Sequence, residues 1–160
     1  MKKKTDERKY VNVWVDGSTW PKNPGKYGGW GAVFIFVGDG KRAELHLSKR
    51  MNGGNVTNNQ AETEAIIRAL EALKEPCHVS IHTDSMYVIK CFKKVSNGGM
   101  PNANKEYWYR MKNIINNTKH DIKLIKVEGH SGNEQNELAH TLAYNASSNN
   151  REVEERFIDR

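Results

Sequence analysis

Cysteine is scarce: the 160-residue chain has only two, Cys77 and Cys91. Neither stands at metal-ligand spacing from another ligand, so neither a disulfide-dense scaffold nor a cysteine-held structural zinc is expected. Both cysteines read as reduced packing residues. Long apolar runs are missing too. The charged start, Met1-Lys2-Lys3-Lys4-Thr5-Asp6-Glu7-Arg8-Lys9, leads into no signal-type apolar stretch, and no later run approaches the ~18 apolar residues of a membrane span. The chain is therefore expected to be soluble and cytoplasmic, with no membrane partner. It has no internal repeat and no linker long enough to separate domains. One domain is the expectation, large enough to bury a sizeable core without crosslinks.

Positive charge is in excess. Lys and Arg number 25 against 19 Asp and Glu, a formal +6 with a pI near 9.3. Such a balance favours a polyanionic partner through counterion release, although charge alone does not separate a nucleic-acid binder from a soluble basic protein.

Val11, Val13 and Val15 alternate with Asn12 and Trp14 and predict a strand that ends where Asp16-Gly17-Ser18 turns the chain. Residues 30–37 and 42–47, separated by Gly38-Asp39-Gly40, complete a predicted antiparallel meander. Thr57-Asn58-Asn59 offers caps for a helix carrying Ala65, Ile66, Ala69, Leu70 and Leu73 at helical spacing. A fourth strand covers residues 78–83, and Ser85 opens a short helix with Tyr87, Val88 and Phe92. A helix over residues 105–116 turns Tyr107, Trp108, Met111, Ile114 and Ile115 inward. Residues 122–127 make the fifth strand, and residues 134–146 a last amphipathic helix on Leu138, Ala139, Leu142 and Ala143. The order β-β-β-α-β-α-α-β-α suits a mixed α/β sheet with ligands beyond the strand carboxyl ends.

Three acids stand out in this frame. Asp16 and Asp84 are placed at strand ends, and Glu62 shares the apolar stripe of its helix, where an acid is costly unless paired or metal-bound. The plainer readings are a helix cap for Asp84 and, for Glu62, a first-turn acid held by the helix dipole. Two strand-terminal acids and one inward Glu together fit a hard divalent cation better than a packed core.

The motifs Asp16-Gly17-Ser18, Thr57-Asn58-Asn59-x-x-Glu62, Thr83-Asp84-Ser85-x-Tyr87 and Gly129-His130-Ser131-Gly132-x-x-x-Asn136-Glu137-x-Ala139 occur in one order. As a set this resembles ribonuclease H type 1, the bacterial kind, over nearly the whole chain. The resemblance implies an RNase H-like fold with a five-stranded mixed sheet, three strands antiparallel and two parallel, flanked by helices. It divides the chain into a basic extension (residues 1–9), a catalytic domain (10–147) and a charged tail (148–160). It implies a monomer that hydrolyses the RNA strand of RNA–DNA hybrids to 5′-phosphate and 3′-hydroxyl ends. Asp16, Glu62 and Asp84 would hold two Mg²⁺ ions, with Mn²⁺ as substitute, and His130 resembles the family's histidine that moves protons or helps product leave. Asn23, Asn58 and Gln60 resemble the groups that read 2′-hydroxyls. Thr57 and Asn104 resemble a pocket gripping a DNA phosphate two nucleotides from the scissile bond, and Trp108 the aromatic supporting the neighbouring channel.

Two departures matter. The family's fourth metal-site acid is replaced by His140 within Asn136-Glu137-Leu138-Ala139-His140-Thr141-Leu142-Ala143. A neutral imidazole suits Mn²⁺ better than Mg²⁺, so His140 is expected to join the metal site and raise the dependence on Mn²⁺ or on high Mg²⁺. The long basic protrusion of some members is also short here, leaving Lys93, Lys94 and Lys105 around an uncharged loop. The alternatives are a non-catalytic hybrid-binding protein disabled by His140, a DNA nuclease such as an integrase or resolvase, or a small metal-binding fold with a basic surface.

Overall fold

The structure is a computed structural model that describes residues 5–128 and 132–159. β1 (Lys9–Trp20) turns Val11, Val13 and Val15 into the core and its even-numbered residues to the other face. That two-residue period is the strand's own pleat. β2 (Tyr27–Gly38) and β3 (Lys41–Met51) complete the antiparallel meander, with Asp16 opposite Gly31. α1 (Asn58–Glu71) follows, then β4 (Cys77–Thr83), which lies parallel to β1. α2 (Met86–Ser96) and α3 (Lys105–Asn117) precede β5 (Asp121–Lys126), parallel to β4. α4 (Glu134–Asn149) and β6 (Val153–Asp159) end the described chain. The mixed α/β architecture is as expected.

The sheet differs from expectation in one strand. It has six, in the order β5-β4-β1-β2-β3-β6, because the segment set apart as a charged tail pairs antiparallel with β3. An edge strand has one side and much of its surface in water, so β6 needs few apolar residues; Val153 packs inward while Ile158 is exposed. α4 likewise continues three residues beyond position 146.

β1 also runs further than its sequence indicates. Asp16 is not at its carboxyl end, since pairing with β2 continues to Trp20 opposite Tyr27. Pairing with β4 stops at Trp14 opposite His82, so Asp16 sits where β1 keeps one neighbour and loses the other. Asp84, by contrast, directly follows the last residue of β4.

The helices cover both sheet faces. α1 buries Ala65, Ile66, Ala69 and Leu70 in one cluster with Val11, Val13, Val15, Trp108 and Met111. α4 packs Ala139 and Leu142 with Val33 on the opposite face. Cys77 is a buried free thiol and Cys91 a half-buried one. Among the described residues, no helix is long and apolar enough to cross a membrane.

Candidate active site

Asp16, Glu62 and Asp84 arrive from β1, α1 and the end of β4, and each offers a carboxylate oxygen within 4.8 Å of the others. Two glycines bring the helices this close. A Cβ on Gly17 would stand 2.4 Å from the backbone of Ala61 and Glu62, so only glycine lets the start of α1 settle on β1. A Cβ on Gly31, opposite Asp16, would stand 2.6 Å from the Ala139 carbonyl oxygen, and its absence lets α4 lie against the other face. Asp16 is thus flanked from both sides.

The acids are little exposed: 5% for Asp16 and 9% for Glu62. Asp16 Oδ1 accepts from the Gly17 amide at 2.9 Å. Its Oδ2 faces His140 Nδ1 on α4 at 2.8 Å. Among the described residues, Glu62 Oε2 is buried without a hydrogen-bond partner. Burial, and then the negative charge and hydrogen bond of Asp16, hold the Glu62 carboxyl well above its ordinary range. Burial and then Asp16 raise Asp84 as well, against a pull downward from Lys126 and His140. The hydrogen bond to Asp16 raises the His140 imidazole. Three crowded acids with one orphaned oxygen are a poor arrangement for an apo core and a good one for hard cations, so the donor set fits Mg²⁺ or Mn²⁺.

This crowding has a pH signature. A carboxyl raised in the folded state stabilises it at low pH, and that gain is lost as pH climbs from the unfolded value through the folded one; a raised histidine loses its gain above 6.5. In chelator, thermal stability should therefore fall as pH rises from the carboxylate range to alkaline. Glu62→Gln should flatten that fall and raise the melting midpoint at pH 8. A lower midpoint would show the acid to be satisfied by its surroundings.

A cleft of about 190 Å³ opens on the acids and is also lined by Asn58, Asn136, Glu137 and His140. Glu137 is not among the residues expected at this site, although it stands within the last of the ordered motifs; it lies one turn before His140 and its charge helps raise that imidazole. His140 stands beside the acids, with Nδ1 on Asp16. His130 lies outside the described residues.

The expected substrate residues form two groups. In the first, the Asn58 amide donates to Asn23 Oδ1 at 3.0 Å and Thr19 Oγ1 donates to Asn58 Oδ1 at 3.1 Å. In the second, Thr57 caps α1 in a reciprocal box with Gln60, and Gln60 Nε2 donates to Asn104 Oδ1 at 3.1 Å. Gln60 is thus drawn away from the Asn23 and Asn58 group. Trp108 is fully buried. It reaches the group through Tyr87, whose hydroxyl accepts from both the indole and Asn104.

A mixed sheet carrying three convergent acids where a central strand loses a neighbour defines a nuclease of the RNase H-like class. The chain belongs to the ribonuclease H family, whose profile matches residues 8–148. It is 38% identical over 157 residues to the ribonuclease H of Prosthecochloris aestuarii, covering 90% of this chain and 99% of that protein. It is also 38% identical over 156 residues to the ribonuclease H of Gluconobacter oxydans, covering 89% and 95% of the two chains. Among solved structures, LC9-RNase H1, described as a type 1 RNase H with the type 2 active-site motif, superposes with a TM-score of 0.75 at 20% identity. That match covers 94% of this chain and 77% of the other. RNase H1 from Halobacterium salinarum gives 0.61 at 23% identity, covering 86% and 96%.

Proposed function

We propose that the chain is an endoribonuclease that hydrolyses the RNA strand of RNA–DNA hybrids, leaving 5′-phosphate and 3′-hydroxyl ends. It would act as a monomer in the cytoplasm. The observation that carries this reading is the convergence of Asp16, Glu62 and Asp84 in a chain of the ribonuclease H family. Two bound Mg²⁺ or Mn²⁺ ions would lower the pKa of an attacking water and neutralise charge on the leaving 3′-oxygen. Asp16, Glu62 and Asp84 would hold them. Asn58, which lines the cleft, and Asn23, bonded to the Asn58 backbone N–H, would read 2′-hydroxyls and so choose the strand. Thr57 and Asn104 would hold a DNA-strand phosphate, and His130 would move a proton or assist product release.

His140 modulates this site. With a raised affinity for protons and Nδ1 on Asp16, it competes with a cation for that carboxylate. Imidazole also prefers Mn²⁺ to Mg²⁺. A labelled hybrid, duplex DNA and duplex RNA incubated across Mg²⁺ and Mn²⁺ titrations test both claims. Only the hybrid should be cut, and His140→Asp should reach half-maximal rate at several-fold lower Mg²⁺ than wild type. Superimposable titrations would remove His140 from the metal site. Tight hybrid binding without cleavage in either ion would favour the non-catalytic alternative.

A further inference from the structure

The hydrogen bonds around Tyr87 have a direction that their end groups impose. At one end the Thr57 backbone N–H, a donor only, bonds Gln60 Oε1 at 3.1 Å. The Gln60 amide must then turn its nitrogen outward, and Nε2 donates to Asn104 Oδ1 at 3.1 Å. Asn104 in turn presents Nδ2 to the Tyr87 hydroxyl oxygen at 2.9 Å. At the other end the Trp108 indole, also a donor only, bonds the same oxygen at 3.2 Å. The phenol oxygen therefore accepts twice. No amide in this chain of bonds can flip without breaking contacts on both sides.

Among the described residues, two hydrogens of this group are left over. Asn104 keeps its second Nδ2–H, and Thr57 keeps its hydroxyl hydrogen because Oγ1 already accepts from the Gln60 amide at 3.1 Å. Asn104 also precedes α3 with φ 58°, and its side chain makes no capping bond to that helix. An asparagine at a helix start ordinarily turns its oxygen to the helix amides. Here the oxygen is spent on Gln60 and the nitrogen end is held by Tyr87, which leaves donors for an anion.

We propose that Tyr87 is a positioning residue for the DNA-strand phosphate, its hydroxyl oxygen fixing the Asn104 amide with a hydrogen outward. The inference rests on the hybrid-cleaving reading above and adds a residue that acts through Asn104. Without the acceptor, only the Gln60 bond still holds the Asn104 amide, and a flip that turns its oxygen to the phosphate then breaks one bond instead of two and sets an acceptor against an anion where a donor stood.

Tyr87→Phe tests this, with wild type measured first on a labelled hybrid. The variant should raise KM about tenfold and leave kcat within about twofold, the size expected for losing a hydrogen bond to a charged group. A second substrate series replaces single DNA-strand phosphates with neutral methylphosphonates. At the contacted position wild type should lose the same factor, and Tyr87→Phe should lose nothing further. A purely structural role would give full additional loss there and would overturn the proposal, as would an unchanged KM or a fall confined to kcat. Asn104→Asp, which leaves Tyr87 and the Trp108 bond in place, should raise KM at least as much and serves if Tyr87→Phe does not fold. An unchanged KM in that variant equally overturns the proposal. A wild type that leaves hybrid uncut overturns the functional reading and this inference with it; an active wild type with an indifferent Tyr87→Phe overturns the inference alone.

Discussion

Asp16→Asn should reduce hybrid cleavage by about three orders of magnitude or more while the fold persists. Both of its oxygens are committed, one to the Gly17 amide and one toward His140, and its charge bears on both Glu62 and Asp84. The substitution keeps the shape and one acceptor but removes the negative charge on which all three acids turn. A factor of a thousand corresponds to about 4 kcal/mol, within the several kcal/mol that metal-assisted charge stabilisation supplies. The same change relieves repulsion in chelator, so the metal-free variant should melt no lower than wild type. Initial rates on labelled hybrid and melting curves in chelator check the two halves. Residual activity above a tenth of wild type would remove Asp16 from the centre of the chemistry.

Gly17→Val should damage stability and activity together, through geometry alone. An added Cβ would meet backbone atoms of Ala61 and Glu62 at 2.4 Å, and backbone cannot swing aside as a side-chain end can. α1 would have to lift from β1 and carry Glu62 with it. Overpacking of this kind costs about 3 kcal/mol, and a shift of about 1 Å at a catalytic group costs on the order of a hundredfold in rate. Gly38→Ala is the control, since nothing lies within 4 Å of a Cβ there, and it should be near neutral on both measures. Denaturant unfolding and kcat/KM, taken where both variants are folded, decide the matter. Equal stability of Gly17→Val and wild type would mean that α1 is not seated on β1.

Much of the fold is legible in the sequence because its elements obey simple periods. The α1 stripe and the alternating valines of β1 report burial directly, and the stripe places Glu62 inward, where it lies. β6 leaves no such trace because an edge strand has no second partner to enforce alternation, and only Val153 of its residues joins a core cluster. The true length of β1 is hidden because Asp16-Gly17-Ser18 reads as a turn; the glycine is there for the approach of a helix, which no local pattern reveals. Trp108 is inward on α3, as its helical spacing indicates. The chain of hydrogen bonds from Gln60 through Asn104 to Tyr87 joins residues up to 44 positions apart, so only the assembled molecule shows its direction. The contact of His140 with Asp16 spans 124 positions and is equally out of a sequence's reach.

The register of the sheet also decides where the molecule can be held. Asp16 lies level with Gly31, Ser48 and Val153 across four neighbouring strands, while Lys9 and Asp159 occupy the far extremities of theirs. Six or seven residues of strand at about 3.3 Å each put both extremities roughly 20 Å from the acids. A tether, label or immobilising support joined beyond either extremity would leave the acid cleft open to a bulky duplex, and the domain could be spliced to another as a module with its working end facing away from the joint.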